Sequence, residues 1–132
     1  MRGVVASFAL VILALSGCAT PAGGSSTAVW VLAPGEAASA ESASIDVLVS
    51  RLACNSGVTG AVNQPVVEAT DDEIVITFTV SPEDAEFADC QGNDQVEYVI
   101  ELDDPVGDRA LVDGACRTTS ASSTVFCDSE YR

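Results

Sequence analysis

The sequence predicts an all-β fold: a small antiparallel sandwich or barrel-like sheet, cross-linked by two disulfides and preceded by a signal peptide and a flexible tether. Three observations predict the fold. Apolar and polar residues alternate in several short segments, turn-forming residues separate these segments, and four cysteines lie among them. A period of two places one face of each segment in a core. Short strands separated by turns are typical of sandwiches and barrels.

The individual strands follow from this alternation. The clearest is Glu73–Val80, which ends at Ser81-Pro82 because proline cannot donate a hydrogen bond to a sheet. Pro65 interrupts the strand before it, and Thr70-Asp71-Asp72 provides the turn between the two. The predicted strands are Ser44–Cys54, Val62–Glu68, Glu73–Val80, Gln95–Leu102, Arg109–Val112 and Ser122–Asp128.

The first 18 residues have the order of a signal peptide. Arg2 precedes the apolar run Gly3–Leu15, which is shorter than the roughly 20 residues that a membrane-spanning helix needs. Leu15-Ser16-Gly17-Cys18 resembles the lipobox of bacterial lipoproteins. The resemblance implies that residues 1–17 are cleaved, that Cys18 carries the lipid and that the protein is held on the extracytoplasmic face of the cell membrane. The alternative is an ordinary secretory signal with an incidental cysteine.

Residues 18–43 are predicted to form a disordered tether between the lipid and a domain at 44–132. Most of this segment consists of Ala, Gly, Ser, Thr and Pro without periodicity. The exception is the apolar island Val29–Leu32, which holds the only tryptophan. Packing on the edge of the domain, contact with the membrane and an ordinary linker are open alternatives for this island.

The charge of the chain excludes some partners. Five arginines face 20 acidic residues, there is no lysine or histidine, and removal of Arg2 leaves a net charge of −16. Such a chain repels nucleic acid and anionic lipid headgroups. We therefore expect no nucleic-acid partner, and we expect the lipid to hold the protein at the membrane. The charge favours solubility, and the alternative is attraction of cations or basic partners.

Four cysteines remain once Cys18 is lipidated, and an even number in an exported domain indicates disulfides. Four cysteines allow three connectivities. We favour Cys54–Cys90, which joins the end of one predicted strand to a later loop. The companion pair is then Cys116–Cys127, which closes a short loop rich in Ser and Thr.

The absence of histidine and lysine excludes most catalytic sites. No Ser-His-Asp or Cys-His pair, Schiff base or HExxH zinc site can form. Only carboxylate chemistry remains, so we expect no enzyme, with a glycan hydrolase as the remote alternative. We expect no cofactor either.

Two acidic loops are weak candidates for binding calcium. Calcium needs six to eight converging oxygens, and the chain lacks the Asp-x-Asp-x-Asp-Gly pattern. We therefore predict no metal site and expect these carboxylates to be solvated. The acidic residues are Glu83, Asp84, Glu86 and Asp89 in one loop, and Asp103, Asp104 and Asp108 in the other.

Arg109 and Asp113 are candidates for a ligand contact or an ion pair. On one strand they would share a face about 13 Å apart, so each needs another partner. We predict that Arg109 is a half-buried member of a structural ion pair. The functional alternative is that Arg109 holds a carboxylate or phosphate ligand.

Three stretches together carry a resemblance to a known group: Arg51–Gly60, Cys90–Asn93 and Gly107–Gly114. Over about residues 44–116 the chain resembles uncharacterised secreted and lipid-anchored proteins of actinobacteria. The resemblance implies export and supports the Cys54–Cys90 pair, and it implies no activity or catalytic residue. We expect a binding module at the cell envelope for a small molecule or an envelope protein. The alternative is a structural envelope protein without a ligand site, and the oligomeric state is open.

Overall fold

The computed structural model describes residues 24–82 and 87–128, and within them the fold is almost entirely β. The strands are β1 Ser26–Leu32, β2 Ser44–Arg51, β3 Val66–Ala69, β4 Glu73–Thr77, β5 Thr79–Val80, β6 Val96–Glu101 and β7 Ala110–Asp113. A one-turn helix α1, Ala115–Thr118, and a 3₁₀ helix, Ser120–Ser123, follow β7. The predicted all-β class is confirmed. No helix in the described ranges is long and apolar enough to cross a membrane.

The strands form two sheets, with the orders β5-β1-β2-β6 and β3-β4-β7. Only Phe78 separates β4 from β5, so one nearly continuous strand belongs to both sheets and the structure curls into a half-barrel. β4 and β7 pair in parallel, in contrast to the purely antiparallel sheet that we predicted. The connection after β6 brings the chain to the edge of β4 in the direction of β4 itself, which produces this parallel pair.

The main core lies inside the curl and follows the predicted alternation. Ile45, Val47 and Val49 of β2 are buried, as are Ile74 and Ile76 of β4. The ring of Phe78 meets the edge of Tyr98, with 5.1 Å between ring centroids. Period-two burial therefore confirms the strands that the sequence predicts at 44–54, 73–80 and 95–102, and β7 confirms the strand at 109–112 to within a residue.

The prediction of a disordered tether over residues 18–43 is wrong for residues 26–32. These residues form β1, which pairs with both β2 and β5. Trp30 is buried, and its indole Nε1 donates to the carbonyl of Ile76 at 3.0 Å. The apolar island is thus an internal strand, because Ala28, Trp30 and Leu32 supply one face of the core. Residues 18–23 lie outside the described residues.

The prediction of a strand over Ser122–Asp128 is also wrong. The chain there forms the 3₁₀ helix and turns. The Thr119 hydroxyl accepts from the backbone N–H of Ala121, and the Thr124 hydroxyl donates to the carbonyl of Ala121. Side-chain hydroxyls that bond the local backbone compete with a sheet, which accounts for the difference.

Both disulfides have the predicted connectivity. Cys54–Cys90 joins the end of β2 to the loop before β6, with Cα atoms 4.6 Å apart. Cys116–Cys127 links α1 to the segment after the 3₁₀ helix, with Cα atoms 5.5 Å apart. Ala115 of α1 and Ala121 of the 3₁₀ helix pack with Val29 of β1 in a second, smaller core.

Candidate binding cleft

β1 and β7 both lie along the same edge of the strand formed by β4 and β5. β7 pairs with β4 from Glu73 to Ile76, whereas β1 pairs with β5 only at Ser26 and Thr27. β1 and β7 do not pair with each other. We call the boundary between these two strands the seam. Its two ends differ, and one of them forms the candidate site.

Asp113 closes one end of the seam. This residue is fully buried, and its carboxylate Oδ2 accepts from the backbone N–H of Trp30 at 3.1 Å. Its Oδ1 accepts from the N–H of Ala115 at 2.9 Å, at the start of α1. The Asp113 side chain therefore accepts hydrogen bonds from both strand β1 and the start of helix α1. The structure places this predicted candidate residue in a structural contact between the two sheets.

The orientation of the β1 backbone follows from the hydrogen bonds along this strand. Leu52 donates to Thr27, and Ala33 donates to Asp46, so odd-numbered residues of β1 bond β2. Even-numbered residues therefore direct their N–H and C=O groups to the seam.

The even-numbered residues of β1 have different partners along the seam. Ala28 donates there to the carbonyl of Phe78 at 3.3 Å. Trp30 donates to Asp113, and Leu32 is next in this series.

The hydrogen bonds of β7 show in the same way which of its residues face β4 and which face the seam. Ala110 donates to the carbonyl of Asp72 and Gly114 donates to that of Ile76, both at 2.9 Å. Even-numbered residues of β7 thus face β4, and the N–H and C=O groups of Leu111 face the seam. At the open end, the backbone groups of Leu32 and Leu111 belong to strand edges that have no strand partner within the described chain.

A cleft of about 890 Å³ occupies this open end. Its apolar lining comes from both strands and from the connection after β1. The apolar residues that define it are Val31, Leu32, Ala38, Leu48, Val106 and Leu111. Glu36, Gln95, Asp108 and Arg109 provide the polar part of the lining. Two signals in the sequence pointed to parts of this cleft: the apolar island Val29–Leu32 and the candidate ligand residue Arg109.

Hydrogen bonds between two loops border the cleft. The N–H of Gly107 donates to Ala40, and the N–H of Val106 donates to Ser42, each at 2.9 Å. The connection between β1 and β2 is therefore tied to the segment that leads into β7. This arrangement joins two walls of the cleft through the backbone.

Arg109 lines the cleft, as its functional interpretation requires, but the ion pair that we predicted for it is wrong. Its guanidinium Nε donates to the carbonyl of Val106 at 3.0 Å, and Nη2 donates to that of Pro105. Within the described ranges, the ion pair is formed by other residues, Arg117 and Glu73. The loop before β7 curls back, so main-chain oxygens reach the Arg109 guanidinium instead of a carboxylate.

The Arg117–Glu73 pair connects α1 to the first residue of β4, which pairs with Ala110 at the start of β7. Nη1 and Nη2 of Arg117 lie 2.6 Å from Oε1 and Oε2 of Glu73, respectively. These hydrogen bonds lower the pKa of Glu73 from its ordinary value of 4.5. They also raise the pKa of Arg117. The pair therefore adds a charged contact between α1 and the end of β4 that lies away from Asp113.

Arg51 is a buried cation that the sequence reasoning missed. Arg51 is the last residue of β2 and is only 3% exposed. Its guanidinium donates to the carbonyls of Thr59 and Ser81. Its Nη1 atom has no hydrogen-bond partner. No sequence pattern marks this arginine as buried, because the loop residues that surround it are distant along the chain.

The acidic candidate residues in the described part of the chain do not form a metal site. No group of three or more Asp, Glu, Cys or His in the described ranges could hold a metal ion, so Asp103, Asp104 and Asp108 are not assembled around one point. Residues 83–86 and the lipidation candidate Cys18 lie outside the described residues. No protein-family model, curated protein or solved structure matches this chain.

Proposed function

We propose that this protein is a lipid-anchored binding module on the extracytoplasmic face of a membrane and that the cleft between β1 and β7 is its ligand site. The cleft is the observation that carries the proposal. Its volume of about 890 Å³ lies within the range of roughly 300–1,000 Å³ that is usual for ligand sites. An envelope protein without a ligand would have no use for an apolar cleft of this size.

The chemistry of the lining favours a ligand that is mainly apolar. Val31 and Leu48 contribute apolar surface from β1 and β2, and Val106 and Leu111 contribute it from the opposite side. Glu36, Asp108 and Arg109 add charges of both signs. A few charged groups around an apolar lining orient a ligand, whereas burial of its apolar surface supplies the affinity.

The proposed lipid at Cys18 places this cleft near the membrane. β1 begins at Ser26, so the segment from Cys18 to Ser26 spans at most about 29 Å when fully extended. A tether of this length keeps the domain close to the bilayer surface. The ligand is then a molecule or segment found at that surface.

Two experiments test the two parts of the proposal. For the anchor, the Cys18→Ser variant is expected in the soluble fraction after lysis, and a variant that stays with membranes contradicts lipid anchoring. For the cleft, titration of the mature chain with the neutral apolar dye N-phenyl-1-naphthylamine is expected to raise its fluorescence.

Leu48→Gln is the cleft variant, because Leu48 lies on the outward face of β2 and lines the cleft. Val99→Gln is its matched control: Val99 is 52% exposed on the neighbouring strand β6 and is not a cleft residue. We expect Leu48→Gln to weaken dye binding at least fivefold and Val99→Gln to leave it unchanged. Equal effects of the two substitutions would contradict the assignment of the cleft.

A further inference from the structure

We propose that the cleft takes an extended peptide segment, which enters as an additional strand between β1 and β7. This inference rests on the proposed function, because it names the class of ligand for the same site. The inference also places a requirement on the ligand beyond apolar surface. The ligand must present backbone N–H and C=O groups on both of its edges.

The unfilled position follows from the sequence of partners along the seam edge of β1. Ala28 donates to a backbone carbonyl and Trp30 donates to the carboxylate of Asp113. Leu32 is the next residue on this edge, about 6.6 Å further along the strand. At Trp30, a carboxylate oxygen thus accepts the hydrogen bond that a strand carbonyl would otherwise accept. At Leu32, no strand of the described chain pairs with this edge of β1.

β7 provides a second edge on the other side of the cleft. The N–H and C=O groups of Leu111 point away from β4, and Leu111 and Leu32 both line the cleft. An extended peptide is the ligand class whose donors and acceptors alternate to both sides with the period of a strand. Because β1 and β7 run in opposite directions, the peptide would pair in parallel with one and antiparallel with the other.

The side chains around the cleft specify the composition of this peptide. Leu32, Val106 and Leu111 border the main core, whereas Val31 and Leu48 lie on the opposite face of the sheet. An inserted strand therefore meets apolar surface on both of its faces. Strands that are covered on both faces are continuous apolar runs rich in β-branched residues, and we expect the same of the peptide.

The charges around the cleft favour basic residues on either side of the apolar run of the peptide. Glu36 and Asp108 line the cleft, and the chain carries a net charge of −15 without a single lysine. The Arg109 guanidinium donates to neutral main-chain carbonyls and keeps its charge, so these three lining residues leave one net negative charge. Basic residues beside the apolar run complement this surface, and acidic ones are repelled. The occupant is thus an apolar, β-branched segment with a flanking Lys or Arg.

The test is a selection of displayed random heptapeptides on the full mature chain, with counter-selection on Leu48→Gln and with Val99→Gln as the matched control. We expect enrichment of runs of Val, Ile or Thr beside a basic residue, and equal binding of the selected peptide to Val99→Gln. The selected peptide is then synthesised with a single backbone N-methyl group at each central position in turn. An N-methyl group removes one donor and leaves every side chain in place.

Insertion between two strands uses both edges of the peptide, so N-methylation at neighbouring central positions is expected to weaken binding at least tenfold at each. Tolerance of the methyl group at every position overturns the proposal. Tolerance at alternate positions shows addition to one edge only and overturns insertion between β1 and β7.

The remaining outcomes separate this inference from the proposed function. No enrichment together with dye binding in the cleft makes the ligand a small molecule, and this overturns the inference alone. No enrichment together with self-association that Leu48→Gln abolishes makes a second copy the occupant, and this also overturns it. Failure of both the peptide and the dye overturns the inference and the proposed function together.

Discussion

The two ends of the seam between β1 and β7 use the same pair of strands in opposite ways. At the closed end, Asp113 bonds the N–H of Trp30, and α1 and the 3₁₀ helix cover Val29. At the open end, the edges at Leu32 and Leu111 face an apolar cleft. The comparison shows that a single carboxylate can replace a missing strand partner. It also shows that the cleft begins where this replacement stops.

The largest expected effect comes from breaking the closed end at Asp113. Asp113→Ala leaves the buried N–H groups of Trp30 and Ala115 without their carboxylate acceptor. Each buried unsatisfied group costs about 1–3 kcal/mol, so for the two groups we expect a loss of about 2–6 kcal/mol in the free energy of unfolding measured with urea. Asp113→Asn retains one carbonyl oxygen and should lose less.

The matched variant at the open end is Asp108→Ala, because Asp108 is an exposed residue of the cleft. We expect this substitution to change the free energy of unfolding by less than about 0.5 kcal/mol. Equal losses for Asp113→Ala and Asp108→Ala would show that the two ends of the seam do not differ in the way described.

The next largest effect concerns the Cys116–Cys127 disulfide, which links α1 to the segment after the 3₁₀ helix. These two helices are called the cover, because they pack over Val29 at the closed end. Replacing Cys116 and Cys127 together by Ser removes a cross-link that spans 11 residues. A loop of this length contributes about 3 kcal/mol in the chain-entropy account. We expect that loss in urea unfolding, together with faster hydrogen exchange in α1 and unchanged exchange in β6. A variant as stable as wild type would mean that the cover contributes little.

Gly114 gives a smaller effect, because it lies against β4 at the closed end. A Cβ atom at this position would lie 1.8 Å from the Thr77 hydroxyl oxygen. Relief of the clash requires the Thr77 side chain to rotate or the backbone to shift, and such overpacking costs about 1–3 kcal/mol. We expect this loss for Gly114→Ala in thermal or urea unfolding. Gly92→Ala is the control, since a Cβ there has no heavy atom within 4 Å, and a similar loss in both would refute the explanation.

The smallest effect is the pH dependence of the Glu73–Arg117 pair. Arg117 lowers the pKa of Glu73 in the folded state, so the pair stabilises the protein above the ordinary pKa of 4.5. This contribution disappears as the pH falls below 4.5 through the lowered folded pKa. The Arg117 side chain is 48% exposed, so solvent and salt weaken the contribution.

Glu73→Gln is therefore expected to be slightly less stable than wild type at pH 7, and the difference should be smaller at pH 3. Unfolding curves at both pH values, recorded at low salt, measure this difference. A difference that stays constant or grows as the pH falls would contradict the assigned ion pair.

The sequence predicted the parts of the fold that depend on local alternation. The strands β2, β4 and β6 have apolar residues at every second position, and their burial follows that pattern. The number of cysteines indicated two disulfides, and the places of the cysteines in a predicted strand end and in loops favoured the observed connectivity among the three possible ones. The alternation is local to each strand, so tertiary contacts did not alter it.

The sequence did not predict the features that depend on distant residues. β1 lies in a segment rich in small residues, and it is stabilised by partners such as Asp113, which is 83 residues away along the chain. The sequence therefore marked Asp113 only as a candidate for a ligand contact or an ion pair, without identifying its partner. The cleft was missed for a different reason: its open edges consist of backbone groups, which side-chain patterns do not describe.

Amide hydrogen exchange at two positions on β1 tests the central claim most directly. Trp30 and Leu32 direct their N–H groups to the same edge, and Asp113 accepts only from the first of them. In the free protein we expect the Trp30 amide to exchange at least 100-fold more slowly than the Leu32 amide. Equal protection of the two amides would mean that the seam is closed along its whole length and would contradict the account.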